Sequence, residues 1–315
     1  MSKSRKLEAL QADLNQIRAE PTTEAAQQIL RQALSSKFGV AIAQAARIVR
    51  DAELVDLLPD LATSFSRLLE NPVNDPNCIG KRAIADTLYR LSYPETELFL
   101  VGIRHVQMEP VWGGQVDTAA GLRATCALGL VRSNYLEMFN ELADLLADPE
   151  PEARIGAARA LAYSGSLQAV PLLRLRVQIG DDASVLADCF SALLQLAPTA
   201  SLSLVARFLQ SPNPQISETA ALALGESRLP AALPYLQQWW QQSPDSELRQ
   251  TGLLAIAMLR QEEAIEFLLS LLTLPRSQAK TTAAALAALQ LYTDDSKLMA
   301  RVKDLVNANK GEPEP

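Results

Sequence analysis

The segment IRHVQMEPVWGGQVD, residues 103–117, carries the single histidine of this 315-residue chain, one of its three tryptophans and a Gly-Gly pair. As a general base, His105 needs a nucleophile within hydrogen-bond reach and a carboxylate to orient its ring. Cys78, with Asp75 or Asp117, would supply both if folding brings two separate segments together. The alternative gives His105 an ordinary backbone hydrogen bond at a helix end. One histidine and three scattered cysteines, Cys78, Cys126 and Cys189, have no metal-ligand spacing. No GxSxG, GxGxxG or GxxxxGK motif occurs, and Gly80-Lys81 lacks the upstream glycine of a phosphate loop. No catalytic residue, cofactor-binding residue or metal ligand is assigned, and the chain is expected not to be an enzyme.

The elements that must position these residues repeat. DPEPEARIGAARALAYSGSLQAVPLL, from Asp148, aligns without a gap with SPNPQISETAALALGESRLPAALPYL, from Ser211. Equivalent starts at Pro149, Asp181, Pro212, Pro244 and Pro275 are separated by 32, 31, 32 and 31 residues. Each unit opens on a turn, then places small or apolar residues at helical spacing: Ala153, Ala157, Ala160 and Leu161, matched by Val185, Cys189, Ala192 and Leu193. Cys126 and Cys189 are expected to pack in this register, as is Trp240 in the second helix, with Trp239 turned toward the inner surface. Pro171 and Pro234 stand where a second helix begins, a position at which the missing N–H costs nothing.

Helix pairs of this length cannot bury their apolar faces alone, and stacking them gives an α-solenoid. Extending the register backwards gives further starts near 37, 76 and 116, for about eight units over residues 37–302. Residues 1–36 are expected to form one or two capping helices, with Leu7, Leu10, Leu14 and Ile17 on one stripe. Residues 303–315, ending KGEPEP, read as a fraying or disordered tail.

The pattern DPEPEAR..AARALA..G...AVPLL resembles the HEAT-like repeat, in the variant known from phycobilisome lyases and from bacterial scaffold proteins. The resemblance covers residues 116–291 and weakens upstream. It implies an all-α, right-handed superhelix that binds another protein along the concave groove of its second helices. As an alternative it implies a phycobilin lyase or chromophore chaperone, with a bilin as ligand. The aromatic YYAAWWLG-type segment of such lyases is absent, and LQQWWQQ lies in a different helix. A third reading, a HEAT-like DNA-binding protein, would need a basic concave face. Lys81, Arg154, Arg249 and Lys280 share one repeat position, but Gly121, Leu186 and Ser217 interrupt that column, which is read as structural.

Charge and composition narrow the classes. The 29 basic and 36 acidic residues leave a net charge of −7, against general nucleic-acid affinity. The charged, amphipathic N-terminus is unlike a secretory leader, and no apolar run reaches the length of a membrane span, so no membrane insertion and a cytoplasmic location are expected.

The early spacings of 39 and 40 residues, between starts 37, 76 and 116, mark two long inter-repeat connections at 70–78 and 107–117. In a solenoid equivalent connections stack on one edge, so these two are expected to be neighbours. They would gather Asn74, Asp75, Asn77, Met108, Glu109, Trp112 and Asp117, with Lys81 and His105 at their roots, into a partner-binding edge. The competing expectation folds Trp112 back over an apolar join and leaves Gly113 and Gly114 as turn residues. No cofactor is expected on this reading, only a protein partner.

Overall fold

A computed structural model describes residues 3–311, in two compact units, residues 1–169 and 170–315. The fold is all-α, of the solenoid class, with one small hairpin. The first unit contains α1 (Lys3–Ile17), α2 (Glu24–Leu34), α3 (Gly39–Asp51), α4 (Leu58–Glu70), α5 (Ile79–Arg90) and α6 (Thr96–Ile103). There follow β1 (Met108–Val111), β2 (Gly114–Asp117), α7 (Ala120–Arg132), α8 (Met138–Leu146) and α9 (Pro151–Tyr163). The second unit contains α10 (Ala169–Ile179), α11 (Ala183–Leu196), α12 (Pro198–Ala206), α13 (Pro214–Glu226) and α14 (Leu233–Gln242). It closes with α15 (Ser246–Met258), α16 (Glu262–Ser270), α17 (Ala279–Leu289) and α18 (Ser296–Gly311).

A helix begins two to four residues after each of the positions 37, 76, 116, 149, 181, 212, 244 and 275. In the first unit α3, α5, α7 and α9 pack in succession, with α4, α6 and α8 laid against α5, α7 and α9. In the second, α11, α13, α15 and α17 pack likewise. Small side chains permit the approach: a Cβ on Gly225 would clash with the Ala255 backbone. The core is formed by residues of the repeat register, including Ala157, Leu161, Val185, Cys189, Leu193, Ala220, Leu224 and Ile256, all fully buried. Each buried Leu or Ile side chain contributes about 1.5–3 kcal/mol of transfer free energy.

Helix starts follow local chemistry. Asn213 caps α13 by accepting a hydrogen bond from Gln215 N at 3.0 Å, with Pro214 at the first helical position. Asp245 caps α15 through Glu247 N at 2.6 Å. At the N-terminus α1 and α2 form, with Leu10 and Leu14 buried on the expected stripe.

Several expectations are corrected. The segment expected as the long connection 107–117 is a β-hairpin, β1 pairing antiparallel with β2 from Met108–Asp117 to Val111–Gly114. Trp239 is buried beside Trp240 instead of facing an inner surface, because Gly252 leaves room for both rings. Residues 303–311, assigned to a fraying tail, continue α18, whose Leu298 and Val302 are buried; residues 312–315 lie outside the described residues.

The register of the third pair also shifts. Leu122, Cys126 and Leu130 are fully buried at the same intervals as Ala153, Ala157 and Leu161, 31 residues later. Arg123, not Gly121, therefore occupies the basic position shared with Lys81 and Arg154. Val116, taken as the start of the third unit, belongs to β2 instead.

Candidate functional site

The two long connections do meet. Glu109 of the hairpin accepts hydrogen bonds from Asn77 N at 2.7 Å, Thr118 Oγ1 at 2.9 Å and Gln107 Nε2 at 2.5 Å. Burial works against its charge, but these donors and Lys81 outweigh it and hold the carboxyl below its usual range. Gln107 Nε2 also donates to Asp75 O at 2.9 Å, so one amide ties the hairpin root to the preceding connection.

Beneath this seam lies a buried charge pair. Asp75 and Lys81 have no exposed side-chain surface, and Lys81 Nζ sits 3.3 Å from Asp75 Oδ2. The Asp75 carboxylate also accepts Gly80 N at 2.6 Å and Lys81 N at 2.9 Å, at the N-terminus of α5 where the helix dipole favours an anion. Lys81 Nζ spends its remaining donors on Gln107 Oε1 at 2.7 Å and Leu68 O at 3.5 Å. Full hydrogen bonding is what offsets the desolvation of such a pair. The chain reaches α5 through two successive left-handed residues, Asn77 (φ 60°) and Cys78 (φ 52°), a conformation costly for Cys and tolerated by Asn.

On the other side of the hairpin, Asp117 accepts Gln107 N at 3.0 Å and Ala119 N at 2.9 Å, and pairs with Arg123 Nη1 at 2.6 Å. Arg123 is itself buried and grips Asp148 bidentately, both bonds 2.8 Å, while donating to His105 O at 3.0 Å. Burial penalises the Asp117 charge, yet the two backbone donors and Arg123 hold its carboxyl below its usual range. The Arg123 guanidinium, desolvated but flanked by Asp148 and Asp117, is held above its usual value.

The predicted residues thus divide. Asp75 and Lys81 were expected on a binding edge, and complete burial corrects this: no partner can touch their side chains. Asp117 is covered by Arg123 and by its backbone donors. Asn74 is half-buried, Asn77 exposed, and Glu109 mostly occupied by bonds within the seam. His105 makes a long 3.4 Å contact with Gln107 Oε1, and its half-burial lowers its pKa. Among the described residues no hydrogen bond joins His105 to Cys78. Burial pushes the Cys78 thiol up to about 11, so it is no ready nucleophile, and the residues are not arranged as a catalytic trio. Cys189 is likewise pushed up, to about 12, and Cys126 is raised by complete burial.

What faces solvent is apolar. Trp112 is 102% exposed at the tip, and Met108, Val111 and Val116 are about half exposed along the strands. Trp112 and Gly113 form the two-residue loop, and Gly113 has φ 90°, which an L side chain rarely adopts. The expectation that Trp112 folds back over an apolar join is therefore not met.

Sequence reasoning passed over Gln107, Thr118, Arg123 and Asp148. A signal existed: an aspartate six residues before a basic side chain recurs at Asp75–Lys81, Asp117–Arg123 and Asp148–Arg154. Gln107 carries no such signal. Among the described residues no group of three His, Cys, Asp or Glu side chains is placed to hold a metal, and no helix is long and apolar enough to cross a membrane.

Comparison with known proteins places the fold. Residues 180–256 and 201–290 match the model for HEAT repeats, so the chain carries HEAT repeats across residues 180–290. No curated protein matches. Among solved structures, the complex of CpcE and CpcF of phycocyanin lyase from Nostoc sp. is similar at 17% identity and TM-score 0.39, over 77% of this chain and 94% of that one. Human deoxyhypusine hydroxylase, in complex with glycerol, is similar at 18% identity and TM-score 0.33, over 82% and 91%. An engineered protein is similar at 16% identity and TM-score 0.38, over 98% and 95%. None of these likenesses assigns an activity to this chain.

Proposed function

We propose that this protein is a non-catalytic scaffold that binds another protein through the β1–β2 hairpin, with Trp112 as the anchor. The observation that carries this reading is an indole with its whole surface in water, mounted on a root of buried ion pairs. An unsupported exposed loop would lose conformational entropy on binding, whereas this hairpin is already ordered by Glu109, Gln107 and Asp117. Tryptophan is among the residues that most often dominate interfaces, because a large rigid surface is desolvated at low entropic cost. Met108, Val111 and Val116 add apolar area around it, and Asn74 and Asn77 offer polar groups at the rim. The partner surface complementary to this tip is an apolar pocket wide enough for an indole.

The test compares wild type with Trp112→Ala in quantitative pull-down from the native organism, followed by affinity measurement with each purified candidate. Truncation of a true anchor raises Kd about 30-fold, corresponding to ~2 kcal/mol. Equal affinity for every captured protein removes the hairpin from the interface. The chromophore-chaperone alternative has its own readout, visible absorbance acquired on incubation with a bilin.

A further inference from the structure

Apart from its tip, the hairpin exposes an unpaired strand edge. Its two-residue loop closes on the Val111–Gly114 pair, and the ladder runs on to a bond from Thr118 N to Gln107 O at 2.9 Å. Bonded and non-bonded pairs alternate in an antiparallel ladder, so the backbone groups of Met108, Pro110, Gln115 and Asp117 point away from the facing strand. On the β1 edge Pro110 has no N–H to offer, which closes that edge to a further strand. The β2 edge is open: Gln115 is exposed, and among the described residues its backbone N–H and C=O have no hydrogen-bond partner. Val111, Gly114 and Val116 share one face of the hairpin. A Cβ at Gly114 would meet nothing within 4 Å, so the glycine leaves a notch between two half-exposed valines.

We infer that this edge pairs with the same edge of a second copy of the chain, β2 antiparallel to β2, with Gly114 of the two copies opposed at the two-fold axis. The inference rests on reading the hairpin as a binding surface, and it names the partner. An open row of backbone donors and acceptors is complemented by another extended strand. In this register Gln115 faces Gly113 of the other copy, and Trp112 stands opposite Val116 of the other copy, a cross-strand pair of aromatic and β-branched residues. The indole lies over Gly114 of the other copy, in the notch, and covers apolar surface that each monomer leaves in water. Glycine opposite glycine lets the strands close at the axis without a side-chain clash. Each copy has a net charge of −7, but residues 110–116 are uncharged and Asp117 is paired with Arg123, so no like charges meet across the contact. The pairing is isologous and closes at two, because it uses the one open edge of each copy. Two indoles bury about 150–250 Å² each, and with five strand residues from each copy the contact falls below the ~1,600 Å² of a standard stable interface. The dimer is therefore weak, with Kd on the order of 10–100 µM, and the chain is monomeric in dilute solution.

The experiment is sedimentation equilibrium of the full chain from about 1 to about 300 µM, which spans the expected Kd. Wild type should pass from monomer to dimer across that range. Gly114→Lys sets like charges face to face at the axis, while in the monomer its side chain meets open space. This variant and Trp112→Ala should each raise the dimer Kd at least about tenfold. Circular dichroism establishes that each variant is folded. The register is read by cross-linking under mild oxidation, to which the three buried native cysteines contribute nothing. Opposed glycines with Cα atoms about 4.5 Å apart lie within disulfide reach, so Gly114→Cys should give a disulfide-linked dimer. Gln115→Cys should not, because the two copies of residue 115 lie diagonally, about 7–8 Å apart. A wild type that stays monomeric, a dimer indifferent to both substitutions, or equal cross-linking at 114 and 115 would each overturn the assignment. A monomeric wild type whose captured protein is still lost in Trp112→Ala would sink self-pairing and leave the hairpin reading standing.

Discussion

In residues 1–169 the turns into α5, α7 and α9 each place an aspartate six residues before a basic side chain, and buried ion pairs tie the long connections down. In residues 170–315 the turns into α13 and α15 are short and rely on single polar caps, Asn213 and Asp245. The grooves differ too. That of the first unit, between α4 and α6, is lined by Glu70, Glu95 and Glu97 with no basic residue, whereas the groove of the second carries Arg174 and Arg207 with no acid. Repetition of one helix-pair pattern leaves the connections and the outer helix face free to diverge. A long connection needs non-local bonds, because it cannot be ordered by its own turn chemistry.

The most direct way to break the contrast is Lys81→Met, which leaves the Asp75 carboxylate buried without its counter-ion. A loss of about 3–5 kcal/mol is expected in chemical denaturation, centred on the first unit. The double change with Asp75→Asn should recover part of it, since no charge then remains buried. A cost near zero for the single variant would mean that the pair is solvated in solution.

The second unit is probed by Gly225→Ala, where a Cβ meets the Ala255 backbone between α13 and α15. The expected cost is about 1–3 kcal/mol, from overpacking. Hydrogen exchange should place the loosened amides in residues 170–315.

Acid sharpens the comparison by acting on the hairpin root. His105 is held below its ordinary 6.5, so the unfolded chain takes up its proton first. The stability it contributes is present above 6.5 and is lost as pH falls toward the lower folded value. Glu109 and Asp117, held below 4.5 and 3.8, contribute further losses from those values downward. Protection of the Gln107 and Ala119 amides, corrected for intrinsic exchange, should fall with pH, and His105→Asn should flatten the first part of the profile. A wild-type profile flat from about pH 7 to pH 5 would contradict this.

The smallest effect is expected for Trp112→Ala, within about 0.5 kcal/mol of wild type, since the indole touches nothing it would leave unpacked. Near-neutral stability is what makes it a clean probe of binding.

The repeat was legible because Ala, Leu and small residues recur at helical spacing wherever two helices pack, as at Ala153–Ala157–Leu161 and Val185–Cys189–Leu193. The neighbourhood of the two long connections was legible from the excess length over the repeat. The hairpin was not, although Gly113-Gly114 lies between two short apolar segments, because MEPV and GQVD alternate too weakly to announce strands. That ambiguity displaced the third start by two residues and hid Arg123. Burial of Asp75 and Lys81 depends on Gln107 and Leu68, which are distant in sequence, so local pattern gave no sign that these charges lie inside. Trp112 and Trp239 show the same limit in opposite senses: one faces water and the other the core.

The hairpin tip has a practical corollary. A side chain added at Gly114 would meet nothing within 4 Å, and at Gly113 the only obstacle is backbone conformation. Beyond the ladder that pairs β1 with β2, the side-chain bonds that order the hairpin all lie at its root, from Gln107 to Glu109 and from Asp117 to Thr118. New sequence opened between Trp112 and Gly114 would therefore hang from a rigid stalk without disturbing the stack beneath. That makes the tip a ready graft site for a reporter, an epitope or a foreign recognition loop.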